Sequence, residues 1–230
     1  AGVGSARMGL AACEYGEDKG IFGFGYMPAP TGRVSITNLV SNAGVVASDQ
    51  AATTGTARRY LGGCSYGNDK GIFGFGRTAS SIVSTTNLVS NAGVVASDTA
   101  GVGSARRLIA ACEYGDDKGI FGFGMDDSSS TAITNLVSNA GVVASDTAGV
   151  GTARAELAAC SYGGDKGIFS FGGPSNTNLV SNTGVIASDV EQVGTTRNQL
   201  AACEYGNDKG IFGYGSAAGD ASMTNLVSDA

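Results

Sequence analysis

Three features recur in this chain at positions where they could do chemistry: a cysteine, an arginine, and an adjacent aspartate and lysine. Cys13, Cys64, Cys112, Cys160 and Cys203 stand 51, 48, 48 and 43 residues apart. Thiolates are nucleophiles and soft metal ligands, so five converging thiols would make a redox or metal centre. Their number is odd, however, and no Cys-x-x-Cys occurs. Equivalent positions on separate repeats are also poorly placed for the Cα separation of under about 7 Å that a disulfide needs. They are therefore expected to be free, buried and apolar in behaviour, with a ring of thiols around an axis as the alternative. Asp18, Asp69, Asp117, Asp165 and Asp208, each followed by Lys, offer an acid beside a base. Inside a Gly-x-Asp-Lys-Gly turn they read more simply as turn aspartates with solvated lysines. Arg7, Arg58, Arg106, Arg154 and Arg197 could form an anion-binding ring. All but Arg7 follow an Asp (Asp49, Asp98, Asp146, Asp189) by 8 or 9 residues. Pairing with that Asp, or with loop carbonyls, would lock successive repeats together and leave Arg7 without its partner.

The rest of the composition narrows the chemistry. The chain has no His, which removes the commonest general base and the commonest metal ligand. Acidic residues outside the repeating pattern are Asp126, Asp127, Glu156, Glu191 and Asp220, scattered without a partner motif. Catalysis needs unlike residues converging on one point, and near-identical repeats supply the same residue five times. No catalytic residue, cofactor or metal is expected. A net charge of −6 without a basic cluster argues against nucleic acid. No run of 18 apolar residues and no leader-like start occur, so no membrane insertion is expected. Unpaired Cys lean towards a reducing interior but leave the compartment open.

The elements that must position these residues come from self-comparison. Cys13–Gly25 recurs at Cys64, Cys112, Cys160 and Cys203, and the Arg always precedes the Asp by 11 residues. The repeats run approximately over 1–49, 50–98, 99–146, 147–189 and 190–230 of a single domain. Each reads as four short strands. Strand a is Leu10–Tyr15. After the turn comes strand b, Gly-Ile-Phe-Gly-Phe-Gly, with Phe22 and Phe24 on one face and Ile21 and Gly23 on the other. The Gly closing the turn, Gly20, is expected at the positive φ of a type I turn plus bulge. Strand c is Thr-Asn-Leu-Val-Ser, and strand d begins at Val45, Val94, Val142 or Val185. No capped 3.6-residue period is present, so almost no helix is expected.

A repeated four-stranded meander of about 48 residues is the unit of a β-propeller; a β-solenoid, with shorter coils, is the rival. The expected fold is all-β, a five-bladed propeller of four-stranded antiparallel blades. Strand d appears four times and the other strands five, so the last blade is expected to lack its outermost strand and to leave an open edge for pairing with another chain. The Arg opening strand a, the Phe-Gly strand and the Thr-Asn-Leu-Val strand resemble kelch and galactose-oxidase-type propeller repeats across the whole chain. The kelch Gly pair is here Gly-x-Gly and the fourth-strand Trp is missing. Repetitive Asp-Lys-Gly-Ile-Phe-Gly chains are also similar to viral or phage-associated propellers. A copper site of the galactose-oxidase kind would need His.

Only the b-to-c connection varies freely in length and content: 26–36, 77–86, 125–134, 173–177 and 216–224. By propeller geometry it shares a face with the d-to-a connection, and divergent loops on a constant scaffold are how binding surfaces are built. The expected function is a non-enzymatic recognition module for a protein or a glycan. Candidate contacts are Tyr26, Met27 and Arg33 in the first insert, with Arg77, Asp126 and Asp127 in the next two. The alternatives are a subunit of a viral or extracellular assembly, homo-oligomeric through the fifth-blade edge, and a glycoside-active propeller.

Overall fold

The computed structural model describes residues 3–228 apart from 52, 54, 174, 192 and 193. Among the described residues there is no helix, and the strands form six small antiparallel sheets. In the first repeat β1 (Ala11–Tyr15) and β2 (Lys19–Gly23) make a hairpin; the insert that follows is a second small hairpin of β3 (Tyr26–Met27) and β4 (Gly32–Arg33), and β5 (Thr37–Val40) returns beside β2. The pattern repeats as β6 (Gly62–Tyr66), β7 (Lys70–Gly74) and β8 (Thr86–Val89), then as β9 (Ala110–Tyr114), β10 (Lys118–Gly122) and β11 (Thr134–Val137). The fourth sheet holds β12 (Ala158–Tyr162), β13 (Lys166–Ser170), β14 (Asn176–Val180) and β15 (Val190–Glu191), and the fifth β16 (Ala201–Tyr205), β17 (Lys209–Gly213) and β18 (Thr224–Val227). Register is constant: Cys13 faces Ile21, and Ile21 faces Leu39.

Strand d is weaker than expected. In the first three repeats it pairs with strand c through isolated bridges such as Val40–Val46 and Val89–Val95, and only the fourth repeat adds a short regular strand, β15. In all four of these repeats the strand c Asn donates to a strand d carbonyl, as Asn38 does to Ala47 at 3.1 Å and Asn178 to Ala187 at 3.0 Å. Val45, which was expected to start strand d, is 65% exposed, and Val46 makes the bridge.

The turn also differs. Gly16 and Glu17 hold positive φ (59° and 67°), whereas Gly20 does not. Its equivalents in the later repeats are glycine for space instead, while a Cβ on Gly20 itself would make only ordinary contacts. A Cβ on Gly71 would lie 2.4 Å from Cys13 Sγ, and one on Gly119 would lie 2.6 Å from Cys64 Sγ. The cysteine of each of the first four repeats therefore sits in a slot left by the glycine of the next.

Packing follows the same one-way rule. Strand a of each repeat lies against strand a of its successor. Phe24 is left-handed (φ 63°), which breaks the period-2 alternation, so the two Phe of strand b face opposite neighbours rather than one side. Phe73 packs back on Gly23 and edge-on against Phe24, with ring centroids 5.5 Å apart. Phe75–Phe121, Phe123–Phe169 and Phe171–Phe212 repeat the contact. Backbone bonds repeat it too, as in Gly25 N to Arg58 O and Gly16 N to Asp69 O. Among the described residues this interface forms four times. The outward faces of the first and fifth repeats stay bare: Phe22 is 39% exposed and Leu226 67%, while Phe73, Phe121, Phe169 and Phe212 are fully buried.

Candidate functional site

Four of the five recurring arginines are among the most buried polar groups. Arg58, Arg106, Arg154 and Arg197 are at most 2% exposed. Each lies over a ring of the preceding repeat, Arg58 over Phe24 at 4.3 Å and Arg154 over Phe123 at 4.0 Å. Arg58 Nε donates to the Phe75 carbonyl at 2.8 Å and Nη2 to Asn87 Oδ1 at 2.7 Å. The carboxylate partner is not the Asp that precedes the Arg. Arg7 pairs with Asp49, Arg58 with Asp98, Arg106 with Asp146 and Arg154 with Asp189, at 3.6 to 3.8 Å. Strand d returns beside strand c of its own repeat, which brings its Asp to that repeat's own Arg. Arg7 is therefore paired, and Arg197 is the one without a carboxylate among the described residues. The link between repeats runs through Phe and carbonyl contacts, and the ion pair closes each of the first four repeats on itself. Asn38, Asn87 and Asn135 join the two, accepting from Arg and donating to Asp at 2.9 Å. These Asn and Asn178 stand in the Thr-Asn-Leu-Val-Ser of strand c, and their recurrence 20, 19, 19 and 19 residues before the next Arg was the available signal. Burial pulls the Arg58 and Arg154 guanidinium groups down to about 10, against the pull of Asp98 and Asp189.

Asp18 works within the turn. It pairs with Lys19 at 2.5 Å and accepts from Asn42 at 2.9 Å, tying the a–b turn to the c–d turn; Asp69 and Asp117 do the same with Asn91 and Asn139. Asp165 accepts from Asn182, and Asp208 pairs with Lys209.

The cysteines are all free and all line one cavity of about 320 Å³. Cys64, Cys112 and Cys160 are buried, Cys13 is half-buried and Cys203 is exposed on the bare fifth face. Burial raises the Cys160 thiol to about 12 and pushes Cys13, Cys64 and Cys112 up as well, which disfavours thiolates. No metal-holding group of His, Cys, Asp or Glu exists among the described residues. One residue on, Glu14, Glu113 and Glu204 line the same cavity. Burial raises Glu113 to about 7; the Ser65 hydroxyl, donating at 2.6 Å, opposes this, and the charges of Glu14 and Glu204 add to it.

A second cavity, of about 430 Å³, lies at the start of the five strands a. Leu10, Leu61, Ile109, Leu157 and Leu200 line it, and so do the residues just before them: Gly9, Tyr60, Leu108, Glu156 and Gln199. These five preceding residues all hold left-handed φ between 55° and 63°. They are joined by successive backbone bonds, Tyr60 N to Gly9 O, Leu108 N to Tyr60 O, Glu156 N to Leu108 O and Gln199 N to Glu156 O.

The inserts start beside this cavity, since Met8 bridges Tyr26, Arg59 bridges Arg77 and Arg107 bridges Met125. The d-to-a connection reaches the same end, where Thr53 N donates to Ser35 O. Tyr26 and Met27 pair with Arg33 and Gly32, and the Arg59 guanidinium lies 4.8 Å over Tyr26. Arg77 and Asp127 meet across neighbouring inserts at 3.2 Å. Asp126 accepts from the backbone of Ser128 and Ser129 in its own turn, so the two acidic neighbours are not a matched pair. No family model and no curated protein matches the chain.

Proposed function

We propose that the chain is a non-enzymatic five-bladed β-propeller scaffold that recognises a protein or a glycan through its b-to-c connections. The observation that carries this reading is where variation falls. The sheets repeat almost residue for residue, while inserts of different length and chemistry gather at one end. Curvature around an axis is supported by the two cavities, each lined by residues of all five repeats. Sheet layers stack about 10 Å apart, so a straight stack would hold the first and fifth repeats about 40 Å from each other. Screening the protein on glycan and peptide arrays tests the reading. A binder should be found, and replacing 26–36 by the short fourth insert should abolish its capture. An insert-swapped protein that folds and captures the same binder equally well would contradict it.

The bare outer faces favour a second reading, a unit of a larger assembly. Phe22 on one face and Tyr205 and Leu226 on the other are the two halves of the interface formed four times inside the chain. Contact between the fifth repeat of one chain and the first of another would give a mass that rises with concentration and falls on Phe22→Ser. A monomer at all concentrations excludes it.

A further inference from the structure

The cavity at the start of the strands is lined by unlike residues. Most equivalent positions of strands a, b and c carry the same residue, whereas here they are Gly9, Tyr60, Leu108, Glu156 and Gln199, five chemistries on one backbone conformation. Left-handed φ is unfavourable for a bulky residue, yet four of the five positions do not carry glycine, the residue that would relieve it. The conformation aims unlike side chains into a shared space. Behind them the floor is aliphatic throughout, from Leu10 to Leu200.

We infer that this cavity binds a ligand with an apolar body and a single cationic nitrogen, an alkylammonium group. The volume of about 430 Å³ is that of a small-molecule site. The leucine floor and the Tyr60 ring accept the hydrocarbon. Glu156 is the single charged side chain in the lining, and no cation pairs with it among the described residues; Gln199 Nε2 donates to its Oε2 at 3.3 Å, which steadies the carboxylate and leaves Oε1 for the ligand. Arg59, on the neighbouring position, does not line the cavity, and its guanidinium is held by the rings of Tyr26 and Tyr60 at 4.8 and 4.6 Å. An anionic ligand would meet Glu156, and a purely apolar one would leave it unpaired. The inference deepens the recognition reading and rests on it, since an alkylammonium is also what a lysine side chain of a protein partner presents.

The test is calorimetric titration of the full chain with hexylammonium, hexanol and hexanoate, and with N-acetyl-lysine methylamide to separate a free amine from a lysine side chain. Hexylammonium should bind at least about tenfold more tightly than hexanol, the range of one hydrogen bond to a charged group. Hexanoate should bind least. Glu156→Gln should bring hexylammonium to the level of hexanol; it is expected to fold, because Gln199 already holds this conformation at the equivalent position. Binding of hexylammonium by the insert-swapped protein separates this site from the array result. Equal affinity for the three six-carbon ligands, no binding at all, or an unchanged affinity in Glu156→Gln would each overturn the inference.

Discussion

The guanidinium carbon of Arg58 lies 4.3 Å above the ring of Phe24, a residue of the preceding repeat, so a charge fixed within one repeat also serves as the surface on which its neighbour packs. Arg58→Met removes the fork that satisfies Asn87 and the Phe75 carbonyl and leaves Asp98 without its cation. The expected cost is about 3 kcal/mol in urea unfolding. Arg197→Met leaves no carboxylate behind and should cost clearly less. Equal losses at the two sites would show that the ion pair is irrelevant.

The one-way packing makes equivalent residues unequal. Phe121 is fully buried and fills the space above Gly74, whereas Phe22 is 39% exposed. Phe121→Ala should cost about 3–5 kcal/mol and Phe22→Ala under about 1 kcal/mol. Matching unfolding midpoints for the two variants would mean that the first face is covered in solution.

The carboxylates around the thiol cavity set a pH dependence. Glu113 has a folded value of about 7, above its ordinary 4.5, so the folded state binds the extra proton. Stability should fall as the pH rises from about 4.5 to about 7 and level off above that, by about 3 kcal/mol at most for this group. Asp98 runs the other way. Burial raises it, but the Thr56 and Asn87 hydrogen bonds hold it below the usual 3.8. Its contribution is present above that value and is lost as the pH drops through the folded one. Glu113→Gln should remove most of the slope between pH 5 and pH 8 in urea titrations, and an unchanged slope would assign it to other groups.

The repeat, strands a to c and the places of the turns were legible because hydrophobic alternation and glycine punctuation recur five times, whereas strand d and the turn's conformation were not. Direction was not legible. Nothing in Gly-Ile-Phe-Gly-Phe-Gly announces that Phe24 is left-handed; Arg7 donates to its carbonyl from outside the strand, yet Tyr214 holds the same conformation with no such donation from Arg197 Nε. Gly119 reads as a turn glycine until Cys64 of another repeat is found in the space its missing side chain leaves. Distance along the chain misled at the arginines, where Asp49 is close in sequence to Arg58 and close in space to Arg7. The candidate contacts Tyr26, Arg33, Arg77 and Asp127 were found by their variability. Glu156 had been set aside as scattered, and only convergence with four unlike residues gave it a place.

The distance between the first and fifth repeats tests the shared axis most directly. Spin labels can be placed at the exposed turn positions Glu17 and Asn207 on a ketone-bearing unnatural residue, which leaves the native thiols untouched. Repeats curved around one axis predict a pulsed electron-spin distance below about 25 Å with the label arms included. A distribution centred near 40 Å, the length of a straight stack of five layers, would contradict the account.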